Sequence, residues 1–218
     1  TADELVERDY DVLVETIGGL DHAQRHITKA LARSRHVVTA NKAVVAAFGN
    51  EFERISGLSG AQFKYSAAVG GALPALETVS ERNGHGYPVS IAGIVNGTCN
   101  FICDRVAAGL RFDEAVALAQ AAGFAEADPT TDIDGTDAAQ KLVLLVRAAF
   151  DATITFDSIS REGIEQLDRE AVLHAANSGR VIRLVAECTL GENGINASVA
   201  PRELPLEHPF AGVSGADN

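Results

Sequence analysis

Residues 11–19, DVLVETIGG, and 36–43, HVVTANKA, are two apolar runs that each end in turn-forming or polar residues. Between them, HAQRHITKALARS (22–34) alternates apolar and polar residues at helical spacing, with Asp21 in front as a helix cap. Strand, helix and strand at this spacing predict a parallel crossover unit. AVVAAFGNEFERISGLSG (43–60) then reads as a helix and AQFKYSAAV (61–69) as the next strand. The first 64 residues are therefore expected to be α/β.

In such sheets ligands bind where strands end and helices begin, which puts Thr16–Gly19 and Thr39–Lys42 along one crevice edge. Gly18 and Gly19 suit the close approach of a flat ligand, and they equally suit a plain turn. VGGALPAL (69–76) has close glycines but is not the G-x-G-x-x-G fingerprint, which is absent. The chain is accordingly expected to begin partway through a dinucleotide-binding fold.

From about residue 65 the pattern changes. VSIAGIVN (89–96) reads as a strand, TCNFICDRVAAGL (98–110) and FDEAVALAQAAG (112–123) as helices. An acidic loop follows, then a helix from Thr136 to Ala149 and another in REAVLHAANSG (169–179). VIRLVAECTL (181–190) and INASVAPREL (195–204), joined by GENG, predict an antiparallel hairpin. The expected class is α/β: a partial parallel sheet over residues 1–64, then an α+β domain over 65–218 with helices on one face of a sheet.

Composition narrows the function. A chain of 218 residues, 46% hydrophobic, can bury a substantial core. Its net charge of −12 argues against a nucleic-acid backbone or an anionic membrane as partner. No apolar run approaches the roughly 18–20 residues of a membrane span, and the first residues carry no signal-peptide pattern. Three cysteines at irregular spacing give no disulfide framework and point to reducing cytoplasm.

Five carboxylates, Glu126, Asp128, Asp132, Asp134 and Asp137, fall within twelve residues, and the first cation after them is Lys141. Acids this dense require a cation among them. Asp137 and Lys141 are one helical turn apart and can meet. As an exposed pair they contribute only about 0.3–0.5 kcal/mol. As a functional pair they combine with an acidic loop that could hold a substrate amine. The chain has fourteen arginines and four lysines, and only lysine can give up its proton. Asp132-Ile133-Asp134 also permits a magnesium site of the phosphatase kind.

DVLVETIGG, HVVTANKA, AAVGGALPAL, GIVNGTCNFI, AGFAEADPTTDIDGTDAAQKL and HPFAGVSGADN occur in the order and at about the spacing found in homoserine dehydrogenases. The chain resembles that family over nearly its whole length, as the end of a Rossmann-like nucleotide-binding domain followed by the catalytic and dimerisation domain. The resemblance implies NAD- or NADP-dependent interconversion of L-homoserine and L-aspartate 4-semialdehyde, in the biosynthesis of threonine and methionine, by a cytoplasmic homodimer. It implies Lys141 as acid/base with Lys42 as its companion. Glu126, Asp132 and Asp137 would hold the substrate's ammonium, bordered by Gly97 and Thr98. Thr16, Ile17, Gly18, Gly19, Asn41 and Lys42 would contact the cofactor. Backbone carbonyls of Ser66, Val69, Gly71 and Leu73 would hold a monovalent cation, sodium or potassium. Ser66 stands where glutamate is common and Phe124 where tyrosine is usual. Without a glycine fingerprint this chain alone is expected to bind dinucleotide weakly and to be inactive, and a non-catalytic remnant that folds and dimerises is the alternative.

Overall fold

The computed structural model describes residues 1–81, 86, 88–192 and 194–216. Asn193 of the expected GENG turn and the last two residues of HPFAGVSGADN, Asp217 and Asn218, lie outside the described residues. The chain divides into two compact units, Thr1–Tyr87 with Val143–Phe156, and Pro88–Leu142 with Asp157–Asn218.

In the first unit a short helix α1 (Ala2–Leu5), closed by a Thr1/Glu4 capping box, precedes a three-stranded parallel sheet. Strands β1 (Val12–Glu15), β2 (His36–Thr39) and β3 (Phe63–Lys64) lie side by side in that order, with Glu15 level with Thr39. Helices α2 (Asp21–Ala32) and α3 (Lys42–Ser59) are the crossovers. Alternation along β1 and β2 buries Leu13, Glu15, Val37 and Thr39 and leaves Val12, Val14 and Val38 exposed. Ile27, Leu31, Val44, Val45 and Phe52 are among the fully buried side chains of this unit.

Two local expectations are corrected. Asp21 is not the cap of α2: Leu20 holds that position without a side-chain bond, and Asp21 is the first helical residue, where its charge suits the helix dipole. The third strand stops at Lys64, because Ser66–Ala68 winds into a 3₁₀ turn and Gly70 and Gly71 follow at φ 76° and 60°. Pro74 then leads into α4 (Ala75–Ser80), an element with no assignment from sequence. Val143–Phe150 of a later helix also packs in this unit, and the Arg147 guanidinium fills the space beside Gly49 and donates to the Val45 carbonyl.

The second unit is built on a four-stranded sheet in the order β4-β6-β7-β5. Its strands are β4 (Ser90–Gly93), β5 (Ser160–Arg161), β6 (Arg180–Gly191) and β7 (Gly194–Pro205). The hairpin of β6 and β7 is antiparallel, as expected, β4 adds antiparallel to β6, and β5 adds parallel to β7. Helices α5 (Gly97–Ala107), α6 (Phe112–Ala121) and α9 (Arg169–Asn177) occur with the sheet, and α5 and α9 pack on β6.

The acidic stretch is not wholly a loop. Thr130–Ile133 forms one helical turn, α7, and α8 follows at Thr136–Phe150. Thr136 is the first residue of α8, and its N–H and its hydroxyl both donate to the Asp134 carboxylate. Gly163 lies so close beneath this stretch that a Cβ there would fall 2.1 Å from the Ile133 carbonyl oxygen. The Ile164 N–H donates to that same carbonyl. Among the described residues no helix is long and apolar enough to cross a membrane.

Candidate active site

The end of the parallel sheet carries a buried carboxylate. Glu15 is 2% exposed, and its position on the covered face of β1 follows from strand alternation. One oxygen accepts from the N–H groups of Ile17 (2.8 Å) and Gly18 (3.2 Å), and the other from the Thr39 hydroxyl (2.6 Å). The Thr39 oxygen in turn accepts from the Asn41 N–H, and the Asn41 amide donates to the Gly19 carbonyl at 2.8 Å. Asn41 also caps α3 through the Val44 N–H. The ends of β1 and β2 are thus tied by side chains just where the sheet hydrogen bonds stop.

That tie shapes a cleft of about 290 Å³ lined by Thr16, Gly18, Gly19, Ala40, Asn41, Lys42 and Ala43. Gly18 and Gly19 have φ of 80° and 70°, and a Cβ on either would meet nothing within 4 Å, so both are required by conformation and leave open space above the turn. A flat ligand can lie against that backbone. Ile17, expected in the same role, does not line the cleft: its N–H goes to Glu15 and its side chain is exposed.

The loop expected to bind a cation follows β3. The Ser66 carbonyl accepts from the Val69 N–H and the Leu73 carbonyl from the Ala75 N–H. A carbonyl oxygen has two lone pairs, so each retains one acceptor direction. Gly71 adopts a left-handed conformation between them.

The second unit assembles the other residues. Lys141 Nζ lies 2.8 Å from Asp137 Oδ2 and donates to the Val95 carbonyl at 2.6 Å. The side chains of the pair are only 17% and 10% exposed. This is not the solvated surface pair that i,i+4 spacing usually gives. Asn96, 3% exposed, donates from Nδ2 to Asp132 Oδ1 (2.7 Å) and Asp137 Oδ2 (2.9 Å), while its Oδ1 caps α5 by accepting from the Cys99 N–H. The Thr98 hydroxyl donates to the Phe124 carbonyl at 2.6 Å, which fastens the acidic stretch to the start of α5. Gly97 packs so tightly that a Cβ would fall 2.2 Å from the Ala216 carbonyl oxygen.

Asp132, Asp137, Lys141, Gly97 and Thr98 are brought together, whereas Glu126 is exposed and its side chain makes no hydrogen bond or ion pair with them among the described residues. Asp132 and Asp134 do not converge on one ion, since Asp132 turns to Asn96 and Asp134 to Thr136. Cys99 and Cys103 on α5 are buried free thiols. Burial, reinforced by nearby acidic groups, raises the Cys99 pKa well above the usual thiol value, and burial raises that of Cys103 to about 12. Neither thiol is a nucleophile at neutral pH.

The sequence reading missed Glu15 and Asn96. Glu15 had one signal, an acid at an inward position of an apolar strand. Asn96 had the residue order N-G-T ahead of a helix, which is a cap pattern.

A parallel-sheet cleft with an open glycine turn, together with a buried lysine–carboxylate cluster, defines a chain of the dinucleotide-binding kind with an attached α+β domain. A family model described as the NAD binding domain of homoserine dehydrogenase matches residues 1–65, and the model for homoserine dehydrogenase itself matches 74–218. The chain belongs to the homoserine dehydrogenase family. It is 36% identical over 215 residues to the homoserine dehydrogenase of Lactococcus lactis, covering 98% of this chain and 50% of that protein. It is 37% identical over 221 residues to that of Corynebacterium glutamicum, covering 98% and 50%. The crystal structure of a homoserine dehydrogenase from Thiobacillus denitrificans superposes with a TM-score of 0.94 at 39% identity, covering 99% of this chain and 51% of that one. A hyperthermophilic archaeal homoserine dehydrogenase in complex with NADPH gives 0.83 at 28% identity, covering 99% and 62%. The chain spans about half the length of the curated relatives it matches.

Removing the Glu15 carboxylate leaves two backbone donors and a hydroxyl without their acceptor. Glu15→Leu is expected to destabilise the chain by about 1–3 kcal/mol and to speed amide exchange at Ile17 and Gly18. Hydrogen exchange followed by NMR reads both. Unchanged protection at these amides contradicts the role given to Glu15.

Proposed function

We propose that this chain carries the chemistry of NAD(P)-dependent interconversion of L-homoserine and L-aspartate 4-semialdehyde. The observation that supports it most is Lys141, buried between the Asp137 carboxylate and the Val95 carbonyl, in a chain of this family. A neutral lysine amine has two hydrogens and one lone pair. With both hydrogens directed to these two fixed acceptors, the lone pair occupies the remaining tetrahedral direction and can take a proton from a substrate hydroxyl.

When bound, NAD or NADP supplies the hydride acceptor, and Thr16, Gly18, Gly19, Asn41 and Lys42 are the groups proposed to border it, with Ile17 contributing backbone beside them. Homoserine's hydroxyl proton passes to Lys141 while hydride leaves C4, which gives the aldehyde. In the reverse direction Lys141 returns the proton to the forming alkoxide. Lys42, the first residue of α3 and part of the cleft wall, is its companion. Asp132 and Asp137 receive the substrate's ammonium, Glu126 joins them from the exposed stretch, and Gly97 and Thr98 border the substrate. The carbonyls of Ser66, Val69, Gly71 and Leu73 are the donors proposed for sodium or potassium, whose charge would order that loop.

Residues 1–64 are read as the end of a dinucleotide-binding domain and 65–218 as a catalytic and dimerisation domain, a division supported by family matches at 1–65 and 74–218. The three buried free thiols are in keeping with a cytoplasmic location. The sheet of the second unit carries helices, which supports a two-fold homodimer through the other face. Sedimentation velocity at tens of micromolar is expected to find a dimer, and a single monomeric species contradicts this.

Lys141→Ala is expected to lower kcat for homoserine oxidation by about 10²–10⁴ with homoserine binding largely kept. Lys141→Arg should not restore it, because a guanidinium keeps its protons. The assay is run on this chain alone and on the chain extended at its N-terminus by a strand and glycine fingerprint. Full activity in the arginine variant contradicts Lys141 as proton carrier, and no activity of the unsubstituted chain in either form favours the non-catalytic alternative.

A further inference from the structure

Asn96 is tied on both sides of its amide within the lysine cluster. Both hydrogens of its amide donate to carboxylates, and its oxygen accepts one backbone N–H. Its amide orientation follows from those partners. If it were flipped, its oxygen would face two carboxylate oxygens and its NH₂ the Cys99 N–H.

The two carboxylates it bridges come from different elements, Asp132 from α7 and Asp137 from α8. They repel each other, and Lys141 contacts Asp137 at 2.8 Å. A second cation between them would neutralise the group. A neutral donor brings them together and keeps their charge. Asp132, Asp137, Lys141 and Asn96 together carry −1 when Lys141 is protonated, which matches one ammonium.

The geometry points to Asn96 as the positioning residue that holds Asp132 and Asp137 as a single ammonium receptor, and this rests on the reading of those aspartates as substrate ligands. Asn96 acts through them and does not itself exchange a proton. Because it also caps α5, its position is set by the helix that carries Gly97 and Thr98. The substrate border and the ammonium receptor are therefore fixed by one side chain.

The test separates the cap from the bridge. Asn96→Ser keeps an effective cap but is too short to reach both carboxylates, and Asn96→Asp keeps the cap and the shape but sets an acceptor against two acceptors. NMR titration of the whole chain with L-homoserine and, separately, with NADP reads binding without turnover. Homoserine affinity in either folded variant is expected to fall about 10- to 100-fold, the equivalent of one lost charge-assisted hydrogen bond, with NADP affinity changed less than about threefold. In the active enzyme the same variants should raise homoserine KM more than they lower kcat. Homoserine affinity equal to that of the unsubstituted chain overturns the role of Asn96 and leaves the proposed reaction standing. A selective loss of homoserine binding in the variants, beside an unsubstituted, N-terminally extended chain that binds but never oxidises homoserine, supports Asn96 and overturns the reaction. An unsubstituted chain that binds no homoserine overturns both.

Discussion

Lys141 has two fixed acceptors, a carboxylate one turn back on its own helix and the Val95 carbonyl in the link between β4 and α5, and the arrangement of the cluster follows from satisfying them. A lysine 17% exposed is costly to bury unless each donor has a partner. Asp137 supplies the charge and Val95 a dipole. Asp137 then needs more than one donor, which Asn96 provides, and Asn96 draws in Asp132. Thr98 holds the Phe124 carbonyl and Gly163 packs beneath Ile133, so the acidic stretch is pinned at both ends. Such a buried pair contributes little net stability. Its effect is to hold the Lys141 ammonium in one direction.

The first unit solves a similar problem with different residues. Where β1 and β2 end, backbone groups lose their sheet partners. Glu15 takes two of the freed N–H groups and the Thr39 hydroxyl, and Asn41 closes the far side onto Gly19. These polar residues lie on the covered face because strand alternation puts them there. The result is a glycine turn held open over the cleft.

The long elements were legible because their patterns are local. The helical periodicity of 22–34 and 43–60 and the two runs around GENG gave α2, α3 and the β6/β7 hairpin. The short elements were not. β3 ends after two residues because the 3₁₀ turn at Ser66 competes for the chain, and no propensity in AQFKYSAAV separates the two outcomes. Thr136 looks like a cap in sequence; in the structure it is the first residue of α8, and its N–H donates to the Asp134 carboxylate. At the site, Lys141 and its acids were visible through charge density. Asn96 and Glu15 were not, since their roles lie in partners 36 to 41 and 24 residues away along the chain.

The most direct test is a crystal structure of this chain with L-homoserine. The substrate hydroxyl is expected within about 2.6–3.2 Å of Lys141 Nζ, with the ammonium within hydrogen-bond reach of Asp132 and Asp137. Homoserine bound with its hydroxyl away from Lys141, or its ammonium on other groups, contradicts the assignment of Lys141 as the proton carrier of a receptor built from these two aspartates.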